Sequence, residues 1–367
     1  MAGLADHLRR RIAREGPLTV ARYMEEALSH PRYGYYRRRD PLGAAGDFIT
    51  APEISQMFGE LIGLWCAVVW GALGSPAPVN LVELGPGRGT LMADALRAAR
   101  RTPEFLAAVA VHLVETSPLL RARQRDALPA AGLEGTPAWH EHFDSVPEGP
   151  LLLIANEFFD ALPVRQFQRC PEGWRERLVD TESEGGGFRF VLSPPLAGVP
   201  LAADTVPPGV DGAPEGSVIE VCPAAIGLAR AIGERVAGRG GAALIVDYGH
   251  TESAFGETLQ AVKGHAFHPV LGDPGETDLT AHVDFAALAR AAGGAGGRTF
   301  GPVDQGEFLE RLGLGARTEG LLAKAPPEQA AEIRAARRRL AGREHMGTLF
   351  KAMAITGAGM APPPGFE

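Results

Sequence analysis

A glycine-rich turn between an apolar run and a helical segment constrains the fold of this chain more than any other feature. The run at 80–84 is followed by Gly85, Gly87 and Gly89, and a segment compatible with a helix begins at Leu91. Glycine lets the backbone adopt positive φ and approach a ligand, and the helix start presents free N–H groups and a positive dipole end. The sequence therefore predicts a strand, a tight turn and a helix that bind a nucleotide-like ligand.

Two acidic residues narrow the choice of nucleotide. Glu83 precedes the turn, and the spacing G-P-G-R-G is one residue tighter than the pattern that binds a dinucleotide pyrophosphate. A carboxylate here would repel a pyrophosphate but suit an ammonium or sulfonium group. Glu115 ends the next apolar run, where strand-end acids bind ribose hydroxyls. Together these features resemble the first two motifs of class I S-adenosylmethionine (SAM) methyltransferases; a glycine-rich turn without a ligand is the alternative.

A third buried strand, predicted at 151–155, ends in polar side chains. Asn156, Glu157 and Asp160 follow it, at the edge where ligands bind in open α/β sheets. Two acids and an amide at this point are the strongest catalytic signal in the chain. The two acids could equally cap the following helix.

Two loops supply further candidates. Asp47 and Thr50 lie in a polar and aromatic stretch without periodicity, which is typical of loops that form a site. They could close over the cofactor as a lid, or they could merely cap the next helix. His282 lies in a long irregular stretch late in the chain, and a structural histidine is the alternative to a catalytic one.

Composition and charge exclude several classes of protein. The chain of 367 residues has 36 basic and 44 acidic residues, a net charge of −8, so no global basic field favours a nucleic acid. Its three cysteines form no C-x-x-C pair, which argues against a disulfide framework or a zinc site. No apolar run reaches the roughly eighteen residues of a membrane span. The N-terminus has acidic residues and no serine, unlike a transit peptide, so we expect a cytoplasmic protein. We also expect no bound metal.

The order of predicted elements indicates an α/β fold with a doubly wound, mostly parallel sheet and a cap. We expect these divisions: an N-terminal helical extension and lid loop at 1–75, the first part of a Rossmann-like domain at 76–166, an inserted β-rich segment at 167–217, the second part of the domain at 218–260, a cap or substrate-binding insertion at 261–340, a final core strand at 341–358, and a disordered tail at 359–367.

Several stretches resemble one family over nearly the whole chain, the MidA-like SAM-dependent methyltransferases. They are YMEEAL and PRYGYY at 23–36, GDFITAPEISQMFGE at 46–60, LVELGPGRGTL at 81–91, VETSPLLRARQ at 114–124, ANEFFDALPV at 155–164, ALIVDYG at 243–249, DLTAHVDF at 278–285 and MGTLFKAM at 346–353. The family includes a mitochondrial complex I assembly factor that methylates an arginine. The resemblance implies a seven-stranded SAM-methyltransferase sheet and a protein arginine as the acceptor, with a respiratory complex I subunit and a homodimer as further expectations.

This resemblance gives the candidate residues their roles. The cofactor would be bound by Glu83, Gly85, Gly87, Gly89, Glu115, Asn156 and Thr50. A guanidinium stays charged, and carboxylates can localise its charge and accept a proton, so Glu157 and Asp160 are the first catalytic candidates. Asp47 and His282 are the second-line catalytic candidates.

Three other functions stay open from the sequence. They are a nicotinamide-dependent oxidoreductase, disfavoured by the glycine spacing and Glu83, a non-catalytic assembly factor that binds SAM, and a small-molecule methyltransferase.

Overall fold

The N-terminal extension is helical. In the computed structural model, which describes residues 3–38, 43, 49–129, 135–199 and 205–367, Thr19 Oγ1 accepts the N–H of Arg22 at 3.1 Å and so caps the second helix. The elements are α1 (Leu4–Glu15), β1 (Leu18–Thr19), α2 (Val20–Ser29), α3 (Tyr35–Arg38), α4 (Ala51–Ile54) and α5 (Gln56–Ala72).

The first half of the core alternates strands and helices. Most residues of its central strands are apolar and buried, which is typical of strands covered on both faces. The elements are β2 (Val79–Leu84), α6 (Thr90–Ala99), α7 (Pro103–Ala108), β3 (Val109–Val114), α8 (Pro118–Ala127), β4 (Ala138–His140) and β5 (Leu151–Asn156).

An antiparallel sheet interrupts the core after β5, in the region of the β-rich insertion expected at 167–217. Its strands are β6 (Arg165–Cys170), β7 (Gly173–Thr181), β8 (Phe188–Leu192) and β9 (Val218–Val221). The short β1 pairs with β7, so the N-terminal extension is joined to this insertion.

The second half of the chain completes the core and adds small elements around it. They are α9 (Pro223–Arg239), β10 (Gly241–His250), β11 (Gln260–Lys263), β12 (Ala266–His268), β13 (Asp278–Thr280), β14 (Val283–Asp284), α10 (Phe285–Gly294), β15 (Arg298–Asp304), α11 (Gln305–Arg311), α12 (Leu314–Leu322), α13 (Pro327–Ala341), α14 (Met346–Leu349) and β16 (Phe350–Thr356). None of the helices in the described residues is both long and apolar enough to cross a membrane.

The central sheet has the strand order β15-β16-β10-β5-β2-β3-β4. Neighbours from β10 to β4 pair in parallel, and β16 is antiparallel to both of its neighbours. The short β14 also pairs in parallel with β10, so the sheet has eight strands rather than the seven expected. The predicted α/β fold with a mostly parallel sheet is therefore confirmed. β3 pairs with one edge of β2 and β5 with the other, so the strand order reverses at β2. The carboxyl ends of these strands therefore border a crevice.

Alternate residues of the buried strands face two helical layers. Leu152 and Ile154 belong to the same apolar cluster as buried residues of α5 and α6. Leu151 and Leu153 belong to the cluster that contains residues of α9 and α10. The sheet therefore forms a rigid middle layer, and its carboxyl edge fixes the side chains that follow each strand.

The cap predicted at 261–340 is not one insertion. Within that range, α10 packs on α9 and β15 is a strand of the central sheet, paired with β16. The sequence pattern of β15 is weak because Gly301 and Pro302 interrupt it, and its register shifts between Phe300 and Val303. The remaining parts are the sheet of β11, β12 and β13 and the helices α11 to α13.

The tail at 359–367, predicted to be disordered, packs against the core instead. Trp65 Nε1 donates a hydrogen bond to the carbonyl of Pro364 at 3.1 Å. The ring of Phe366 lies 5.2 Å from that of Phe308. The proline-rich composition concealed these contacts, because they depend on one aromatic side chain and on backbone carbonyls.

We expect Phe366→Ala to lower the free energy of unfolding by about 1–3 kcal/mol, less than a fully buried phenylalanine loses. Urea denaturation measures this. The control is Phe267→Ala, because the Phe267 side chain is 82% exposed and should change stability by no more than about 0.5 kcal/mol. Equal losses in the two variants would contradict an anchoring role for the tail.

Candidate functional site

A cavity of about 300 Å³ lies at the carboxyl ends of β2, β3 and β5. The structure brings most of the predicted site residues to its wall. They are Thr50, Glu83, Gly85, Gly87, Glu115, Asn156 and Glu157. Asp47 lies outside the described residues. The sequence analysis therefore located one continuous site, although some of its candidates lie elsewhere.

The glycine-rich turn has the backbone conformation that the sequence predicted. Gly85, Gly87 and Gly89 have φ of 59°, 53° and 84°. A Cβ atom on Gly85 would lie 2.7 Å from the ring of Phe158. Gly89 does not line the cavity; it is the N-terminal cap of α6. A side chain is thus disfavoured at these three glycines by conformation, and at Gly85 by space as well.

Glu83 is a buried carboxylate at the cavity wall. Its Oε2 atom has no hydrogen-bond partner among the described residues. Burial and then the nearby Glu115 carboxylate raise the pKa of Glu83 to about 8, whereas a hydrogen bond from the Met92 N–H lowers it. Asn156 Oδ1 is a second buried acceptor at this wall without a partner in the described chain. Two unpaired acceptors fit the ammonium end of SAM.

Glu115 is held more firmly. Its Oε1 accepts the N–H of Ser117 at 2.7 Å, and its Oε2 accepts from Gln124 Nε2 at 3.4 Å. Burial raises the pKa of Glu115, although the N–H groups of Ser117 and Thr116 oppose this. Gln124 Nε2 also donates a hydrogen bond to the Gly87 carbonyl at 2.7 Å. Gln124 therefore connects Glu115, the acid expected to bind the ribose, to the glycine-rich turn. The sequence analysis did not predict this role of Gln124, since nothing in the pattern of α8 distinguishes it.

Glu157 adopts an unusual backbone conformation, with φ of 49°. Such values are uncommon for residues other than glycine and are concentrated at functional sites. Its Oε1 accepts the N–H of Ala51 at 2.8 Å and Asn156 Nδ2 at 3.3 Å. The pKa of Glu157 is raised to about 8. Burial is the largest cause, the Ala51 N–H opposes it, and the Asp160 carboxylate adds to it. The carboxylate therefore has a pKa suited to proton transfer near neutral pH.

Helix α4 closes one side of the cavity. Thr50 precedes it and makes no capping hydrogen bond, although capping was the alternative to a place in the site. Glu53 Oε1 accepts the hydroxyl of Thr90 at 2.5 Å, and its Oε2 lies 3.4 Å from Arg88 Nη1. These contacts fix α4 to the start of α6. Glu53 is not among the site residues expected from the sequence.

Asp160 does not line the cavity. It is buried, its backbone carbonyl accepts the N–H of Ala281 at 2.9 Å, and burial raises its pKa to about 6. Asp247 holds the turn that contains it: Asp247 Oδ2 accepts the N–H groups of Phe158, Phe159 and Asp160 at 3.1, 2.9 and 3.2 Å. Asp247 and Asp160 therefore stabilise the turn that follows Glu157, on the side away from the cavity. Asp247 is not among the site residues expected from the sequence.

His282 is not brought to this cavity, contrary to the prediction that it is catalytic. Its ring lies 5.5 Å from that of Tyr248, and it lines a separate cavity of about 40 Å³ with Glu220 and Cys222. Burial lowers the pKa of His282. Its surroundings match the structural alternative.

Comparison with known proteins identifies the family. Residues 61–303 match a family described as "Putative S-adenosyl-L-methionine-dependent methyltransferase". The chain belongs to this family. The resemblance found in the sequence, the enzyme class and SAM as the cofactor are thereby confirmed.

Several relatives are similar over most of their length. The protein arginine methyltransferase NDUFAF7, mitochondrial, of Danio rerio is 40% identical over 95% of this chain and 86% of its own. The protein of the same name from Homo sapiens is 40% identical over 87% of this chain and 75% of its own. The expectation of a cytoplasmic location is corrected by these names, because the matching relatives are named as mitochondrial proteins.

A solved structure is also similar to this chain. It is a "likely methyl transferase" from Burkholderia thailandensis bound to S-adenosyl-homocysteine, 31% identical, with a TM-score of 0.81 over 99% of this chain and 92% of its own.

We expect Gly85→Ala to weaken binding of S-adenosyl-homocysteine at least tenfold, because the added Cβ meets Phe158 and the positive φ becomes strained. Isothermal titration calorimetry measures the affinity. Gly71→Ala is the matched control: no atom lies within 4 Å of its added Cβ. Unchanged binding in Gly85→Ala would remove the turn from the cofactor site.

Glu83→Gln should have opposite effects on stability and binding. A buried acid with a raised pKa is neutral in the folded state while the unfolded state ionises, so the free energy of unfolding falls as pH rises from about 4.5 to about 8, by about 1.4 kcal/mol per pH unit. Gln has no such slope. At pH 8 the variant without ligand should therefore be more stable than the wild type, but it should bind S-adenosyl-homocysteine about tenfold more weakly. Thermal unfolding between pH 5 and 9 tests the first effect; parallel pH dependences in the two proteins would contradict it.

Proposed function

We propose that this chain transfers a methyl group from SAM to a guanidino nitrogen of an arginine on a protein. The observation that carries the proposal is the polarity of the cavity wall. Glu83 Oε2 and Asn156 Oδ1 are buried acceptors without partners in the described chain, and Glu157 adds a carboxylate. A guanidinium has only donors, and so does an ammonium group. The names of the relatives, which are protein arginine methyltransferases, support the same acceptor.

One side of the cavity would hold the cofactor. SAM, when bound, supplies an activated methyl group. Glu83 would accept hydrogen bonds from its ammonium group, and Glu115 would accept from its ribose hydroxyls. The turn at Gly85 and Gly87 brings backbone close to the ligand. The protein's contribution here is orientation, because methyl transfer needs the nucleophile aligned with the methyl group.

Glu157 would act on the acceptor. A guanidinium remains charged at neutral pH and is therefore a weak nucleophile. A carboxylate that accepts two of its N–H groups localises the positive charge and can take up the proton released from the attacking nitrogen. Asp160 is the other residue ranked first as a catalytic candidate. Because it lies behind the cavity wall, it would assist through the turn that it shares with Glu157.

The family that the sequence resembles includes a complex I assembly factor. We therefore propose a subunit of respiratory complex I as the acceptor protein and a homodimer as the assembly state. Mass spectrometry of arginine-containing peptides from a deletion strain would identify the acceptor, and light scattering would measure the mass of the assembly.

We expect Glu157→Gln to lower transfer of labelled methyl groups from SAM to protein by about 10²- to 10⁴-fold, the usual contribution of a general base. Binding of S-adenosyl-homocysteine should be retained. Glu252→Gln, at an exposed glutamate, is the control and should keep full activity. Label in small molecules rather than protein would favour a small-molecule methyltransferase, and transfer unaffected by Glu157→Gln would remove Glu157 as the base.

The pH dependence provides a second test of Glu157. Its pKa is about 8 before the acceptor binds, so the carboxylate is mostly protonated below that pH and cannot pair with a guanidinium. At saturating SAM, kcat/KM for the acceptor should therefore rise as pH increases towards about 8. A value that is constant between pH 6 and 8.5 would contradict this assignment.

A further inference from the structure

Tyr36 lies at the part of the cavity that the N-terminal helices form. It follows α2 in the chain and lines the cavity together with Leu28 and Ser29 of that helix. Ala161, from the segment after β5, also lines the cavity. None of these residues belongs to the glycine-rich turn or to the acids that follow β2 and β3. This wall is therefore separate from the groups assigned to the cofactor.

The hydroxyl of Tyr36 has a defined polarity. It donates its single proton to Asp278 Oδ1, at 2.8 Å. Asp278 is buried, with 5% of its surface exposed, and it lies in β13, which is paired with β11. Because a tyrosine hydroxyl has one proton and two lone pairs, this bond leaves the oxygen as an acceptor toward any ligand.

Tyr36 also keeps its proton. Burial raises its pKa well above the usual value, and the nearby carboxylates of Asp278 and Asp160 raise it further. The hydroxyl is therefore neither a base nor an anion at neutral pH. Tyr36 and Glu157 line the same cavity. A carboxylate and a neutral hydroxyl oxygen can together accept from a flat group with several N–H donors.

We propose that Tyr36 accepts a hydrogen bond from an N–H of the acceptor guanidinium, and that Asp278 is a positioning residue that keeps the tyrosine proton away from the ligand. This inference rests on the proposed function and extends it. Once Glu157 is ionised, as it is above about pH 8, Glu157 and Tyr36 together select a group that only donates. A urea, as in citrulline, has a carbonyl oxygen that would face one of these acceptors, so it is rejected.

The test uses the full chain saturated with S-adenosyl-homocysteine and two probes, N-acetyl-arginine methylamide and its citrulline analogue, titrated by NMR. Tyr36→Phe removes only the hydroxyl and should weaken the arginine probe about tenfold. Affinity for S-adenosyl-homocysteine should stay within twofold, which also shows that the variant is folded. Tyr23→Phe is the matched control, because Tyr23 donates its hydroxyl to the Val270 carbonyl at 3.3 Å and does not line the cavity.

Asp278→Asn separates positioning from a structural role. The amide can donate to the tyrosine oxygen, which allows the hydroxyl proton to turn toward the cavity. The preference for the arginine probe over the citrulline probe should then fall, with the citrulline probe binding better than it does to the wild type. A purely structural role would weaken both probes alike, and that result would overturn the assignment of Asp278.

The outcomes for this inference and for the proposed function differ. If the wild type prefers arginine over citrulline but Tyr36→Phe binds both probes as the wild type does, the role of Tyr36 is overturned and the proposed function stands. If the wild type shows no preference for arginine, the guanidinium acceptor is overturned and this inference with it.

Discussion

Buried carboxylates at the carboxyl edge of the sheet are the constraint on which the site depends. Glu83 is buried and Glu157 is half-buried, and loss of solvation raises the pKa of each to about 8. A buried charge is unfavourable unless it is paired, so the protein without ligand carries these groups largely neutral below pH 8. A cationic ligand removes this penalty by supplying the missing partner. The same arrangement that costs stability in the empty site therefore selects positively charged ligands.

The sheet topology explains why these acids meet. Parallel strands place their carboxyl ends at one edge, and the reversal of strand order at β2 leaves a crevice there. Glu83, Glu115 and Glu157 each occur at or just after the end of a strand in this region. Apolar residues of those strands pack into two helical layers, one on each face, so the acids are held at the edge of a well-packed sheet.

That geometry could be predicted from the sequence because it depends on local patterns. The apolar runs, the glycine spacing and the polar residues after each strand predicted the central sheet and the residues that line one cavity at its edge, Glu157 among them. The errors concern contacts between residues distant in the chain. The weak pattern of β15 is recognisable only through its pairing with β16, and the order of the tail depends on Trp65 and Phe308. His282 resembled a site residue until the fold placed it beside Tyr248.

The position of Glu157 is set by groups outside the cavity. Its positive φ is unfavourable for a side chain, and the turn that follows is held by Asp247, whose Oδ2 accepts three backbone N–H groups. From the other side, the Ala51 N–H fixes the carboxylate to α4. A carboxylate that must meet a guanidinium in one orientation gains from this rigidity, because no conformational entropy is lost when the ligand binds. Asp247 is thus as necessary to the geometry as the acid in the cavity, although it touches no ligand.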